Sequence, residues 1–284
     1  MLLRRQHPLI YLAPALLVLG AVYLYPIIRL GVLSFSPQGG GFGLDNFRLL
    51  FQDPTFTAAL EHNGVLLLGV PLSLLLALGL AMLLYDRPFA SRLYRFAVFI
   101  PFVLPVPVIG IALSLFLQRN GLLNTFLRTL HLDFLALDWL GNTSLALPTV
   151  LGVIVWRNLG FGVLLFYARL MTLDRELLEA ARVDGARGWR LRWFIIVPQL
   201  GSVISFYIIL TTINMLSWVF NFIYVMTRGG PGSSTTVSEY YIYQMAFPNQ
   251  LPNLAAAASA VVLGITIIGI SIRIATARNF MALN

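Results

Sequence analysis

Apolar residues along this chain gather into six runs: Leu9 to Phe35, Asn63 to Tyr85, Phe96 to Leu117, Leu145 to Tyr167, Gln199 to Phe222 and Leu254 to Ala275. Each run is near 20 residues or longer, the length that about 30 Å of hydrocarbon requires at about 1.5 Å per residue. The runs are continuous rather than alternating, which predicts helices and not barrel strands. The expected fold is therefore all-α, a polytopic membrane protein with six transmembrane helices and one transmembrane domain over residues 1–284. Pro26, Pro71 and the group Pro101, Pro105 and Pro107 remove backbone donors inside the first three runs and should kink or break them. The triple-proline turn reads either as ordinary membrane-helix proline or as a pathway wall or hinge. The first run outlasts the apolar core of about 7–15 residues usual in a signal peptide. The A-x-A pattern Ala13 to Ala15 also comes too early for cleavage, so the run is expected to stay as an anchor.

Between the fourth and fifth runs lies a polar stretch, residues 169–198, long enough to need structure of its own. Leu173, Leu177, Leu178 and Ala181 recur at helical intervals, Arg175, Glu176, Glu179 and Arg182 fill the other face, and Asp174 is placed to cap the first turn. Gly185 interrupts the pattern, and Trp189, Trp193 and Val197 resume it up to Pro198. The prediction is a helical hairpin. It could lie on anionic lipid or offer a knob to a soluble partner. Glu179 could do no more than pair with Arg175 and Arg182 on its own helix.

Charge then sets orientation. Only 11% of the residues are charged, against 58% hydrophobic, and mean hydropathy is +0.83. All 19 basic residues are arginine. Thirteen of them (4, 5, 87, 92, 95, 169, 175, 182, 187, 190, 192, 273 and 278) fall on one side of the six-span arrangement; four (48, 119, 128 and 228) fall on the other. By the positive-inside rule the richer side is cytoplasmic, which puts both termini and the hairpin inside. The same bias accounts for a pI near 10.2, so no nucleic acid is expected as a partner.

Several chemistries are excluded by residue type. With no cysteine there is no disulfide or thiolate site, and with no lysine there is no P-loop. His7, His62 and His131 lack metal-ligand spacing, and Gly229-Gly230-Pro231-Gly232 reads as a turn. The six runs hold no Asp or Glu, Glu61 and Asp86 falling just outside, so an ion-coupled transporter has no evident carrier. In the fifth run Tyr207, Thr211, Asn214, Trp218 and Asn221 recur on one helix face. That face would either line a solute path or bond to a neighbouring helix. Arg157 stands near the middle of the fourth run, where it would hold an anionic group or bond to helix carbonyls.

The hairpin sequence Glu179-Ala180-Ala181, then Asp184-Gly185-Ala186, then Ile195, Val197 and Pro198 resembles the EAA motif of permease subunits of bacterial ABC importers, departing once with Val197 for Leu. Trp156 to Phe161 and Tyr224 to Gly232 resemble the carbohydrate-uptake branch, the maltose and glycerol-3-phosphate type. The resemblance runs from the first span to the last. It implies a permease moving a sugar or sugar-like solute across the inner membrane of a bacterium or archaeon by alternating access. Glu179 would face an ATPase and Gly185 would allow the turn of the hairpin. It also implies a second homologous permease, a cytoplasmic ATPase dimer and an extracytoplasmic solute-binding protein as partners besides membrane lipid. This chain would then be no enzyme and hold no cofactor, ATP and Mg residing on the ATPase. The alternatives are an importer of another solute class and, more remotely, the ion-coupled transporter.

Overall fold

The computed structural model of the protein describes residues 8–37, 40–86 and 91–282. Among these residues the regular elements are all helical. They are α1 (Pro8–Leu19), α2 (Tyr25–Ser34), α3 (Asp45–Gln52), α4 (Pro54–Leu67), α5 (Gly69–Asp86), α6 (Ser91–Val103), α7 (Val106–Phe116), α8 (Leu122–Thr129) and α9 (Ala146–Leu170). The remainder are α10 (Arg175–Val183), the single turn α11 (Val197–Gln199), α12 (Gly201–Ser217), α13 (Phe220–Met226), α14 (Ser238–Ala246) and α15 (Pro252–Ala282). π-helical turns at Gly20–Leu24 and Leu191–Ile196 lead into α2 and α11.

Four stretches are long and apolar enough to cross a bilayer directly: Tyr11–Ser34, Pro54–Asp86, Ala146–Leu170 and Pro252–Gly269. Two more candidates are broken: Phe96–Val103 with Val106–Phe116 bends by 106°, and Leu191–Gln199 with Gly201–Ser217 bends by 71°. Counting each bent pair as one crossing gives the expected six. The third and fifth runs are thus not straight spans. In the third, Pro105 and Pro107 have no N–H to return to the carbonyls of Pro101 and Val103, and Leu104 is pushed away from helical angles because proline follows it. The second run's helix begins at Pro54, so Glu61 sits within it rather than outside. Pro71 is tolerated in the first turn of α5, and Pro26 in the first turn of α2, directly after the π turn.

The described residues fall into two compact units. The first comprises the chain up to Phe56 together with Tyr241–Ile265. In it Asn46 donates to the carbonyls of Ser34 (3.0 Å) and Ser36 (3.1 Å), locking α3 to the end of α2. Phe56 packs on Tyr241, whose hydroxyl donates to Asp53 at 2.7 Å. The second unit comprises Thr57–Tyr240 and the chain from Thr266 onward. Its frame is α5 against α9, with α6 and α12 also on α9 and α13 on α7.

Lipid tails are as apolar as leucine, so helices in hydrocarbon associate by close packing through small residues. The second unit is built this way. A methyl added at Gly162 would lie 2.7 Å from Ala77 Cβ, and one added at Gly160 would lie 2.5 Å from the Val98 carbonyl oxygen. Gly160→Ala is therefore expected to destabilise the protein by about 1–3 kcal/mol, the usual cost of overpacking. It would be read as a lower thermal midpoint in detergent, with Gly152→Ala, where the added methyl meets open space, leaving the midpoint in place.

Candidate functional site

The hairpin forms as the sequence suggests, and its motif spacing has a geometric cause. Asp174 caps α10 by accepting from the Glu176 N–H at 2.9 Å. At the other end Gly185 takes φ +87°, its N–H bonds to the Arg182 carbonyl at 3.1 Å, and the Ala186 N–H bonds to the Ala181 carbonyl at 2.9 Å. This double bond with a left-handed glycine is the Schellman ending of a helix. The second alanine of the motif and the glycine four residues later are thus the two ends of one cap. Glu179, Ala180, Asp184 and Gly185 are exposed and Ala186 half-buried, while Ala181 is buried. Glu179 forms no ion pair with Arg175 or Arg182: among the described residues the ion pair is Arg192 with Asp86. The intrahelical pairing weighed for Glu179 is absent.

Two details of the amphipathic pattern differ from expectation. Leu177 is exposed, and Leu178 with Ala181 carries the buried face of α10. In the returning arm the buried residues are Leu191 and Ile196, while Trp189 is exposed. A π turn places residues five apart on one side, so Leu191 and Ile196 share the buried face while Trp189 and Trp193 pack on each other. Leu178, Ala181, Leu191 and Ile196 join Leu78 and Met82 of α5, Phe166 and Leu170 of α9 and Tyr207 of α12 in a single hydrophobic cluster. Burying each of the larger hairpin side chains there contributes about 1.5–3 kcal/mol. Hairpin and membrane helices are one packed object.

The candidate path residues divide into three sets. Tyr207 and Thr211 are buried in the helix core, Tyr207 packed on Phe166 and Phe161. Asn214 and Trp218 join Arg157 around a cavity of about 240 Å³, with Phe102, Val106 and Asn158. Asn221 is not among the residues that line it; α12 ends at Ser217, and beyond that end Trp218, Val219 and Phe222 face the cavity. The predicted single face is therefore not continuous: Asn214 and Trp218 share the cavity across the end of α12, while Tyr207, Thr211 and Asn221 do not line it.

Arg157 bonds to helix carbonyls, one of the two roles weighed for it. Its Nη2 donates to the Phe102 carbonyl at 3.1 Å and the Leu104 carbonyl at 3.3 Å, and its guanidinium carbon stands 5.4 Å from the Phe102 ring centroid. These carbonyls lie at the C-terminal end of α6, where the last acceptors of a helix have no helical donors and the helix dipole favours a cation. Its buried Nε has no partner among the described residues.

A second polar cluster has no sequence signal, since its members are more than 170 positions apart. Asn63 Oδ1 accepts from the Ser238 N–H (2.8 Å) and hydroxyl (2.9 Å), and Asn63 Nδ2 donates to Glu239 at 3.2 Å. The neighbouring His62 Nδ1 lies 2.7 Å from the Thr236 carbonyl, so that nitrogen carries the proton. Burial pushes the Glu239 carboxyl above its ordinary value, against the opposing pull of its own backbone N–H, Asn63 and Ser238.

Continuous apolar crossings, two broken ones, a polar cavity against a helix break and a helical hairpin seated in the helix core define a multi-pass membrane transport subunit. Residues 69–279 match the family described as binding-protein-dependent transport system inner membrane component, and the chain belongs to that family. It is 34% identical over 270 residues to the probable ABC transporter permease protein YurN of Bacillus subtilis, covering 92% of each chain. It is 31% identical over 258 residues to the lactose transport system permease protein LacF of Rhizobium radiobacter, covering 88% of this chain and 86% of the relative. A chain in the crystal structure of the bacterial alginate ABC transporter, in complex with alginate pentasaccharide-bound periplasmic protein, has the same fold. The TM-score is 0.85 at 21% identity, covering 96% of this chain and 94% of that one.

Two expectations follow. Arg157→Met leaves two carbonyls without their donor at about 1–3 kcal/mol each, so the thermal midpoint in detergent should drop. For Glu239, the raised value in the folded protein favours the neutral form. Its contribution to stability is full below the ordinary glutamate value of about 4.3 and is lost as pH rises through the raised one. Glu239→Gln should flatten that part of the profile of thermal midpoint against pH.

Proposed function

We propose that this chain is one transmembrane half of an ABC importer for a sugar or sugar-like solute, working as a single permease domain in the inner membrane. Separate cytoplasmic ATPase subunits hold ATP and Mg and act through the hairpin. The observation that carries this reading is the shared core. Leu178, Ala181, Leu191 and Ile196 pack with α5, α9 and α12, so a push on the exposed side of α10 reaches the membrane helices without a soft joint. Glu179, exposed and without an ionic partner among the described residues, is the residue offered to the ATPase; Ala180, Asp184 and Ala186 complete the contact around the Gly185 turn. The arginine bias supports cytoplasmic termini and a cytoplasmic hairpin.

The solute passes beside Asn214, Trp218 and Arg157, while Tyr207 and Thr211 are buried in the helix core and Asn221 lies outside the cavity. A cavity of about 240 Å³ is below the range of about 300–1,000 Å³ usual for a small-molecule site. That supports a site completed by a second, homologous permease. An amide and an indole side by side suit a sugar's hydroxyls and C–H faces. The lactose permease relative supports a carbohydrate cargo, and the periplasmic protein in the alginate complex supports delivery by a binding protein.

Glu179→Arg tests the coupling role. The variant should insert and keep its thermal midpoint, yet reconstituted vesicles should lose ATP-dependent uptake and solute-stimulated ATP hydrolysis. Uptake at the wild-type rate would remove the hairpin from the mechanism.

A further inference from the structure

The hairpin carries a second opening that the coupling role leaves unused. Between the end of α5 and the returning arm is a cavity of about 530 Å³ lined by Tyr85, Asp86, Arg182, Arg187, Gly188 and Arg192. Asp86 pairs with Arg192. Arg182 and Arg187 have no carboxylate partner among the described residues, so the cavity wall carries two uncompensated cations. Its depth in the membrane follows from the chain: α5 is the end of one crossing at Asp86, and Leu191–Gln199 begins another. A cavity between two span ends lies at the level of lipid headgroups. Interleaved in sequence with the lining residues Gly188, Arg192 and Ile196, Trp189 is 66% exposed, Phe194 is 72% exposed, and Trp193 packs on Trp189 with ring centroids 4.9 Å apart. Large aromatic side chains beside arginines at this depth are the amphipathic arrangement that membrane interfaces favour.

We propose that this cavity binds the headgroup of an anionic phospholipid, its phosphate held by Arg182 and Arg187 and its upper acyl chains lying against Trp189 and Phe194. Arginine suits a phosphate because its planar donors are pre-arranged for paired oxygens. The glycerol and acyl segments account for the aromatic surface, which a free phosphate ion would leave uncovered. A lipid held here would fix the returning arm of the hairpin, together with Arg182 in the last turn of α10, to the membrane, and Glu179 lies outside the cavity lining. The inference stands on the membrane location alone and holds whether or not the hairpin receives an ATPase.

The test uses the full chain, purified with whatever subunits accompany it, in nanodiscs of phosphatidylcholine with graded phosphatidylglycerol. Retained lipid is then counted by native mass spectrometry. Phosphatidylglycerol should be retained over phosphatidylcholine. Arg187→Gln should lower its apparent affinity by about fivefold, the effect of one arginine at an anionic surface, while Arg187→Lys, which keeps the charge and loses the paired donors, should fall between Arg187→Gln and the wild type. Trp189→Gln should shorten retention without changing the preference for the anionic lipid. Equal retention of both lipids, an unchanged affinity in Arg187→Gln, or displacement by millimolar soluble glycerol phosphate would each overturn the proposal. The last of these would make the site one for a free phosphate compound.

Discussion

The contact on which the molecule depends is the seating of a polar-faced hairpin in the same apolar cluster that joins three membrane helices. Leu178 and Ala181 come from one arm, Leu191 and Ile196 from the other, and between them the chain reverses through a left-handed glycine. Packed interiors transmit displacement because they are dense and have few ways to yield. A hairpin tethered only by its two chain ends would swing; one whose buried side chains interlock with Phe166, Leu170 and Met82 moves with those helices. The cap at Gly185 serves the same end from the inside, since it holds the exposed corner in one shape.

The breaks in the third and fifth crossings are the counterpart of that rigidity. In hydrocarbon an unpaired carbonyl has no water to turn to, so a broken helix survives only where protein groups or a wet cavity meet its free ends. Arg157 meets them at Phe102 and Leu104, and the cavity lined by Asn214 and Trp218 opens beside the same break. A cation in the middle of a span, otherwise costly, is thus compensated by carbonyls at the broken end of α6. The site where the backbone is least regular is also where polar side chains from several helices gather.

Much of this was legible in the sequence because it depends on local spacing. Run length gave the crossings, Asp174 announced a helix start, and the interval from Ala181 to Gly185 is the span of a Schellman cap. The proline group foretold the break in the third crossing, although not the angle. What stayed hidden was of two kinds. The π turn at Leu191–Ile196 changes the period itself, so counting by fours selected Trp189 and Trp193 where burial selects Leu191 and Ile196. The end of α12 at Ser217 is marked by neither glycine nor proline, so the helical count carried past it to Asn221, which does not line the cavity that Asn214 and Trp218 share. Clusters such as Asn63 with Ser238 and Glu239 depend on pairing across distant sequence, which no local pattern encodes.

The most direct test of the shared core is a distance that should not change. The chain has no cysteine, so thiols introduced by Val183→Cys on exposed α10 and Leu76→Cys on the outer side of α5 would be its only spin-label sites. Their separation would be measured by pulsed electron paramagnetic resonance in the assembled transporter, without nucleotide and with ATP trapped. If hairpin and helices move as one body, the two distributions coincide while a label on a partner subunit shifts against either site. A hairpin that changes its distance from α5 by several ångströms on ATP binding, with the helices unmoved, would contradict the account.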